Sequence, residues 1–212
     1  MQEMSRKNKL FTDSVIRRMT RVALSCGAIN LAQGFPDFDP PKALTDRLAE
    51  VSALGPHQYP ITMGAPNFRQ ALARKAGRFM GRTLDPETDM VVTIGSTEAM
   101  VDTLFALTNP GDKIIMFSPY FENYRAQAIM ADCEPIFVPL VPPAFNFDAN
   151  VLEDAFKQGA KAILICNPSN PSGKVFTYDE LKLISELCIK YDAFAIMDEV
   201  YEHIVYEGHK HI

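Results

Sequence analysis

Ala162-Ile163-Leu164-Ile165-Cys166 is a short, uniformly apolar run, and Asn167-Pro168-Ser169-Asn170-Pro171-Ser172-Gly173 follows it at once. Further on, Phe194-Ala195-Ile196-Met197 is a second such run, closed by Asp198-Glu199-Val200-Tyr201. Strands this apolar are buried on both faces, as in parallel sheets covered by helices. Three more runs share the pattern, at Met90–Ile94, Ile114–Phe117 and Pro135–Val138. Helical spacing between the runs predicts helices at 97–108, 121–131, 148–158 and 178–191. Strands alternating with helices predict an α/β fold, a mostly parallel open sheet with helices on both faces.

Upstream, the pattern is helix and loop. Val15, Ile16, Met19, Val22 and Ala23 fall at helical spacing, with Thr12 or Asp13 as cap and Gly27 as stop, and predict a docking helix. Gly34–Pro41 (GFPDFDPP) is a loop, because its prolines forbid regular structure. Helices follow at 41–54 and 65–80, the second with Phe68, Leu72 and Phe79 inward. The expected division is an N-terminal arm, docking helix and loop over 1–40, then a large domain over 41–212.

Composition narrows the function. The chain has 212 residues, 47% hydrophobic and 22% charged, which is ordinary globular usage. Its net charge of −5 makes nucleic acid a poor partner. No apolar run is long enough to span a membrane. Cys26, Cys133, Cys166 and Cys188 are scattered, as expected of reduced core residues in a cytoplasmic protein. No His/Cys cluster has metal spacing, and no G-x-G-x-x-G follows a strand. His203, His209 and His211 read as exposed tail residues.

Ligands of open α/β sheets bind beyond the carboxyl ends of the strands, and four of the five ends here carry polar residues. Gly95-Ser96-Thr97 opens a helix, where free N–H groups and the dipole suit a phosphate; Ser96 as a plain cap is the simpler reading. Phe121 can stack on a flat ring or serve as core. The rigid 167–173 turn pins the Asn170 amide between prolines. Asp198 at the end of a buried strand needs a cation or several donors, unless it is an exposed cap. Tyr201 supplies a nearby phenol, and Glu199 reads as the more solvent-facing carboxylate. A ligand with a phosphate, a flat ring, an oxygen acceptor and a basic ring nitrogen satisfies all of these together. Pyridoxal 5′-phosphate (PLP) has all four.

With these motifs in place, the sequence resembles the class I/II aminotransferases of PLP fold type I. The resemblance runs from Asn30-Leu31-Ala32-Gln33-Gly34-Phe35-Pro36-Asp37-Phe38 to Asp198-Glu199-Val200-Tyr201-Glu202-His203, and is closest to the kynurenine, methionine and prokaryotic aspartate branch. It implies that Gly34 sets backbone against the substrate carboxylate. Tyr59, in His57-Gln58-Tyr59-Pro60, would reach the partner's PLP phosphate across a homodimer. Ser96 and Thr97 would bind the phosphate and Phe121 would stack on the ring. Asn170 and Tyr201 would hydrogen-bond the phenolic oxygen, with Asn170 also near substrate, and Asp198 would pair with the pyridine nitrogen. Ser172 stands where threonine is commoner.

The family's PLP-binding lysine lies in an S-x-S-K motif after the DEVY aspartate. The only lysine after Asp198 is Lys210, in a different setting. The resemblance therefore implies the N-terminal portion of an aminotransferase, incomplete in its large domain and inactive by itself. In the family, two later strands sit between the first strand and the fifth. Without them the Met90–Ile94 strand would be separated from the other four, leaving open edges that favour aggregation. Two alternatives remain: a C–S β-lyase of the same fold, and an inactive binding or dimerisation chain.

Overall fold

The computed structural model describes residues 2–59 and 61–212; Pro60 of the His57–Pro60 motif lies outside the described residues. The chain forms two compact units. One comprises Met1–Thr12 with Ile94–Ile212, the other Asp13–Thr93.

The first unit is built on four parallel strands, β1 (Lys113–Ser118), β2 (Glu134–Pro139), β3 (Ala160–Cys166) and β4 (Phe194–Asp198), in the order β2-β1-β3-β4. Its helices are α4 (Gly95–Leu107), α5 (Glu122–Met130), α6 (Ala149–Lys157) and α7 (Tyr178–Tyr191). Successive side chains of a strand point to opposite faces, and the two central strands show this directly. Ile114, Met116, Ala162 and Leu164 join Met100 and Leu104 of α4 and Tyr124 and Ala128 of α5 on one face. Ile115, Ile163 and Ile165 join Leu152 and Phe156 of α6 and Ile184 and Leu187 of α7 on the other. The unbroken apolar runs Ile114–Phe117 of β1 and Ala162–Cys166 of β3 are thus needed to fill two cores.

Helix ends follow local chemistry. Thr177 and Glu180 form a reciprocal capping box at α7, and Asp148 caps α6. A short 3₁₀ turn (Arg6–Leu10) is tied to the end of α5 by Lys7, whose ammonium donates to Asp132 at 2.6 Å and to the Met130 carbonyl at 2.7 Å.

The second unit holds α1 (Val15–Ser25), α2 (Lys42–Ser52) and α3 (Pro66–Met80). The cap of α1 is Ser14, whose hydroxyl accepts the Arg17 N–H, rather than Thr12 or Asp13. No residue of α1 or α2 is buried. In α3 the buried residues are Arg69 and Ala73, while Phe68 and Phe79 are exposed, so the inward face is turned from the expected one. The Arg69 guanidinium explains the shift. It donates to the Gly64 carbonyl at 3.0 Å and to the Pro86 carbonyl, and pairs with Glu87 at 3.2 Å. Gly64 sits at φ +98°, and a Cβ there would lie 2.4 Å from Val92 Cγ2, so glycine alone fits.

One expected strand is absent. Met90–Ile94 pairs with no strand among the described residues, and the Val92 N–H instead donates to the Met63 carbonyl at 3.1 Å. An apolar run becomes a strand only when a partner ladder lies beside it. The cysteine expectation also needs one correction: Cys26 is exposed, whereas Cys133, Cys166 and Cys188 are buried free thiols. Among the described residues, no helix is long and apolar enough to cross a membrane, and no His/Cys/Asp/Glu group could hold a metal.

Candidate functional site

The carboxyl ends of β3 and β4 are joined by backbone, since the Asn167 N–H donates to the Asp198 carbonyl at 3.0 Å. Asp198 is the last residue of β4 and is buried. Tyr124 Oη donates to its Oδ2 at 2.7 Å, and the Val200 N–H to its Oδ1 at 3.2 Å. No basic side chain among the described residues is ion-paired with it. A carboxylate held by two donors and matched by no cation is poised to receive one.

The 167–173 turn is fixed from both sides. Asn167 is fully buried; its Oδ1 accepts the Phe176 N–H at 3.0 Å, and its Nδ2 has no partner. The Gly173 N–H closes the turn on the Ser169 carbonyl at 2.8 Å, with Gly173 at φ +71°. Beyond the turn, Lys174 is buried, pairs with Glu180 of α7 at 2.8 Å and lies 5.0 Å from the Phe176 ring centroid. The Asn170 amide nitrogen, held on this turn, is 3.5 Å from the Tyr201 hydroxyl. Both line a hollow of about 260 Å³ with Ile204 and Tyr206.

Ser96 and Thr97 fall in the first turn of α4, which begins at Gly95, two residues before the expected start. Ser96 is not the cap; Ile94 occupies that position, and its N–H donates to the Glu98 carboxylate. Both hydroxyl residues are exposed. Thr97 is anchored to α5, its carbonyl accepting Gln127 Nε2 at 2.9 Å and its hydroxyl facing Asn123 Nδ2 at 3.4 Å. Phe121, half-buried at the start of α5, meets Tyr124 edge-on with ring centroids 5.6 Å apart.

The structure therefore groups Asn170 with Tyr201, and Phe121 with Asp198 through Tyr124. Gly34 and Tyr59 belong to the other compact unit, where both are exposed. Tyr59 adopts φ +57°.

Three features escaped the sequence reading. Tyr124 falls three residues after Phe121, the cap of the same helix, which is the one local hint of a shared face. Lys174 carries no signal of burial. His211 is not an exposed tail residue: its side chain is buried, its Nε2 lying 3.2 Å from the Asn167 carbonyl and 3.3 Å from Glu199. Burial raises the Glu199 carboxyl above its usual range, with the His211 charge opposing. Burial and then the Asp198 contact push the Tyr124 phenol far up, so it remains a donor.

Comparison with known proteins gives this geometry a context. Residues 27–212 match the family described as aminotransferase class I and II. A probable N-succinyldiaminopimelate aminotransferase of Mycobacterium tuberculosis is 35% identical over 204 residues, covering 95% of this chain and 51% of the relative. Human kynurenine–oxoglutarate transaminase 3 is also 35% identical, covering 91% of this chain and 45% of its own. The solved N-succinyldiaminopimelate aminotransferase of M. tuberculosis superposes with a TM-score of 0.93 at 34% identity, over 99% of this chain and 55% of that one. The chain thus spans about half the length of the relatives it matches, and its parallel sheet is part of a fold type I large domain.

Proposed function

Because this chain belongs to the class I and II aminotransferases, we propose that it carries the PLP-binding part of an enzyme moving an amino group between an L-amino acid and a 2-oxo acid. Asp198 supports this most strongly: a buried carboxylate, oriented by two donors and unpaired with any basic side chain among the described residues, suits the protonated nitrogen of a pyridine ring. Bound PLP supplies an electron sink for a carbanion next to the amino group, provided that nitrogen stays protonated. The chain's residues then have distinct tasks. Asp198 holds the proton at the ring nitrogen. Asn170 and Tyr201 donate to the phenolic oxygen. Phe121 covers the ring, and the start of α4 with Ser96 and Thr97 receives the phosphate. Gly34 meets the substrate carboxylate, and Tyr59 reaches a partner subunit's cofactor in a homodimer.

No S-x-S-K motif follows Asp198 within these 212 residues. The lysine that anchors the cofactor and moves the substrate's α-proton is, on this reading, supplied by sequence outside them, and the chain alone is inactive. The three buried thiols accord with a reduced, cytoplasmic setting.

The test uses the enzyme that carries this segment together with its lysine. Asp198→Ala is expected to abolish transamination while leaving PLP partly bound through its phosphate. Near-normal turnover in that variant rejects the assignment. Product analysis also separates the lyase chemistry, since pyruvate with ammonia, in place of a 2-oxo acid with a new amino acid, contradicts an aminotransferase.

A further inference from the structure

Resting on the PLP reading, we propose that Tyr124 is a positioning residue of the site, its phenol holding the Asp198 carboxylate in one orientation toward a cationic ring nitrogen. Tyr124 stands on α5, yet its hydroxyl reaches the end of β4, a residue 74 positions away in sequence. In the sheet order β2-β1-β3-β4, β1 and β4 are separated by β3, so this side chain ties the α5 face to the far strand. It lies against the end of β3, beside the Cys166 thiol, which also donates to the Pro168 carbonyl at 3.3 Å. The tyrosine is 4% exposed. Its ring is fixed edge-on against Phe121, so the hydroxyl has little freedom to leave Oδ2.

The consequence concerns charge as well as orientation. A donor on Oδ2 fixes which way the carboxylate faces, and an anion held beside the ring nitrogen favours the protonated ring. The phenol resists ionisation through burial, so the donation persists at alkaline pH. A tyrosine that merely filled the core would have no bearing on that protonation.

Equilibrium dialysis of the enzyme that carries this segment together with its lysine against PLP, from neutral to alkaline pH, tests this. Tyr124→Phe keeps the ring packing and removes only the donor. It is expected to weaken PLP binding about tenfold or more, the scale of a hydrogen bond to a charged group. It should also move the alkaline loss of affinity to lower pH. In an Asp198→Asn background the same change should cost less than a factor of about two, because the two side chains act as one unit. Tyr124→4-aminophenylalanine, which retains a donor, should restore the affinity. An unchanged affinity and pH limb in Tyr124→Phe overturns the proposal, as does an equal loss in the Asp198→Asn background. Should circular dichroism show Tyr124→Phe unfolded, a folded 4-aminophenylalanine variant that binds tenfold more weakly overturns it too. Failure of the unsubstituted protein to bind PLP at any pH sinks the cofactor reading itself; binding that Tyr124→Phe leaves intact sinks only the role of Tyr124.

Discussion

Ile163 in β3 and Leu48 in α2 both occupy apolar positions of regular elements, yet Ile163 is fully buried and Leu48 is 69% exposed. The contrast extends to their units. In Asp13–Thr93 the buried residues among those described are Arg69 and Ala73, and Arg69 is held by polar contacts. In the unit containing the sheet, both strand faces carry closed apolar clusters. A parallel sheet brings its covering helices through its own connections. An amphipathic helix only declares a face, and its spacing does not say what covers that face.

Core truncation should separate the units most sharply. Ile163→Ala is expected to cost about 2–5 kcal/mol in chemical denaturation, whereas Leu48→Ala should stay within about 0.5 kcal/mol. Equal losses would erase the distinction. The buried pair beside the candidate site ranks next. Lys174→Ala leaves the Glu180 carboxylate without its cation and should destabilise by about 3 kcal/mol. Because the pair clamps the 167–173 turn to α7, faster amide exchange over that turn should accompany the loss.

The sheet edge offers a smaller effect. Phe194 and Met197 of β4 are 45% and 37% exposed. Phe194→Lys should reduce concentration-dependent association in light scattering, since a charge on an edge strand opposes pairing. The smallest effect is electrostatic. Burial raises Glu199 in the folded chain, so its stability contribution is greatest below the unfolded carboxyl range and falls as pH rises through the folded value. Glu199→Gln should therefore be slightly more stable than the unsubstituted chain at neutral pH, with the gap closing on acidification. A gap that widens in acid contradicts that sign.

Much of the fold was legible because β1 and β3 are central strands, whose two buried faces write an unbroken apolar run. Met90–Ile94 shows the limit: it is apolar apart from Thr93, but pairing is decided by residues far away. The site divides similarly. Asp198, Asn170 and Tyr201 stand at strand ends in a local motif that sequence displays. Tyr124 and His211 act across 74 and 44 positions, through contacts that no local spacing encodes.

Hydrogen exchange of the enzyme that carries this segment together with its lysine, with and without saturating PLP, tests the central claim most directly, because it reads both units at once. Added protection is predicted at Gly95–Thr97, Asn167–Gly173 and Asp198–Tyr201, with none over α2. Protection confined to α2, or no protection anywhere at saturating PLP, would contradict a cofactor site at the ends of these strands.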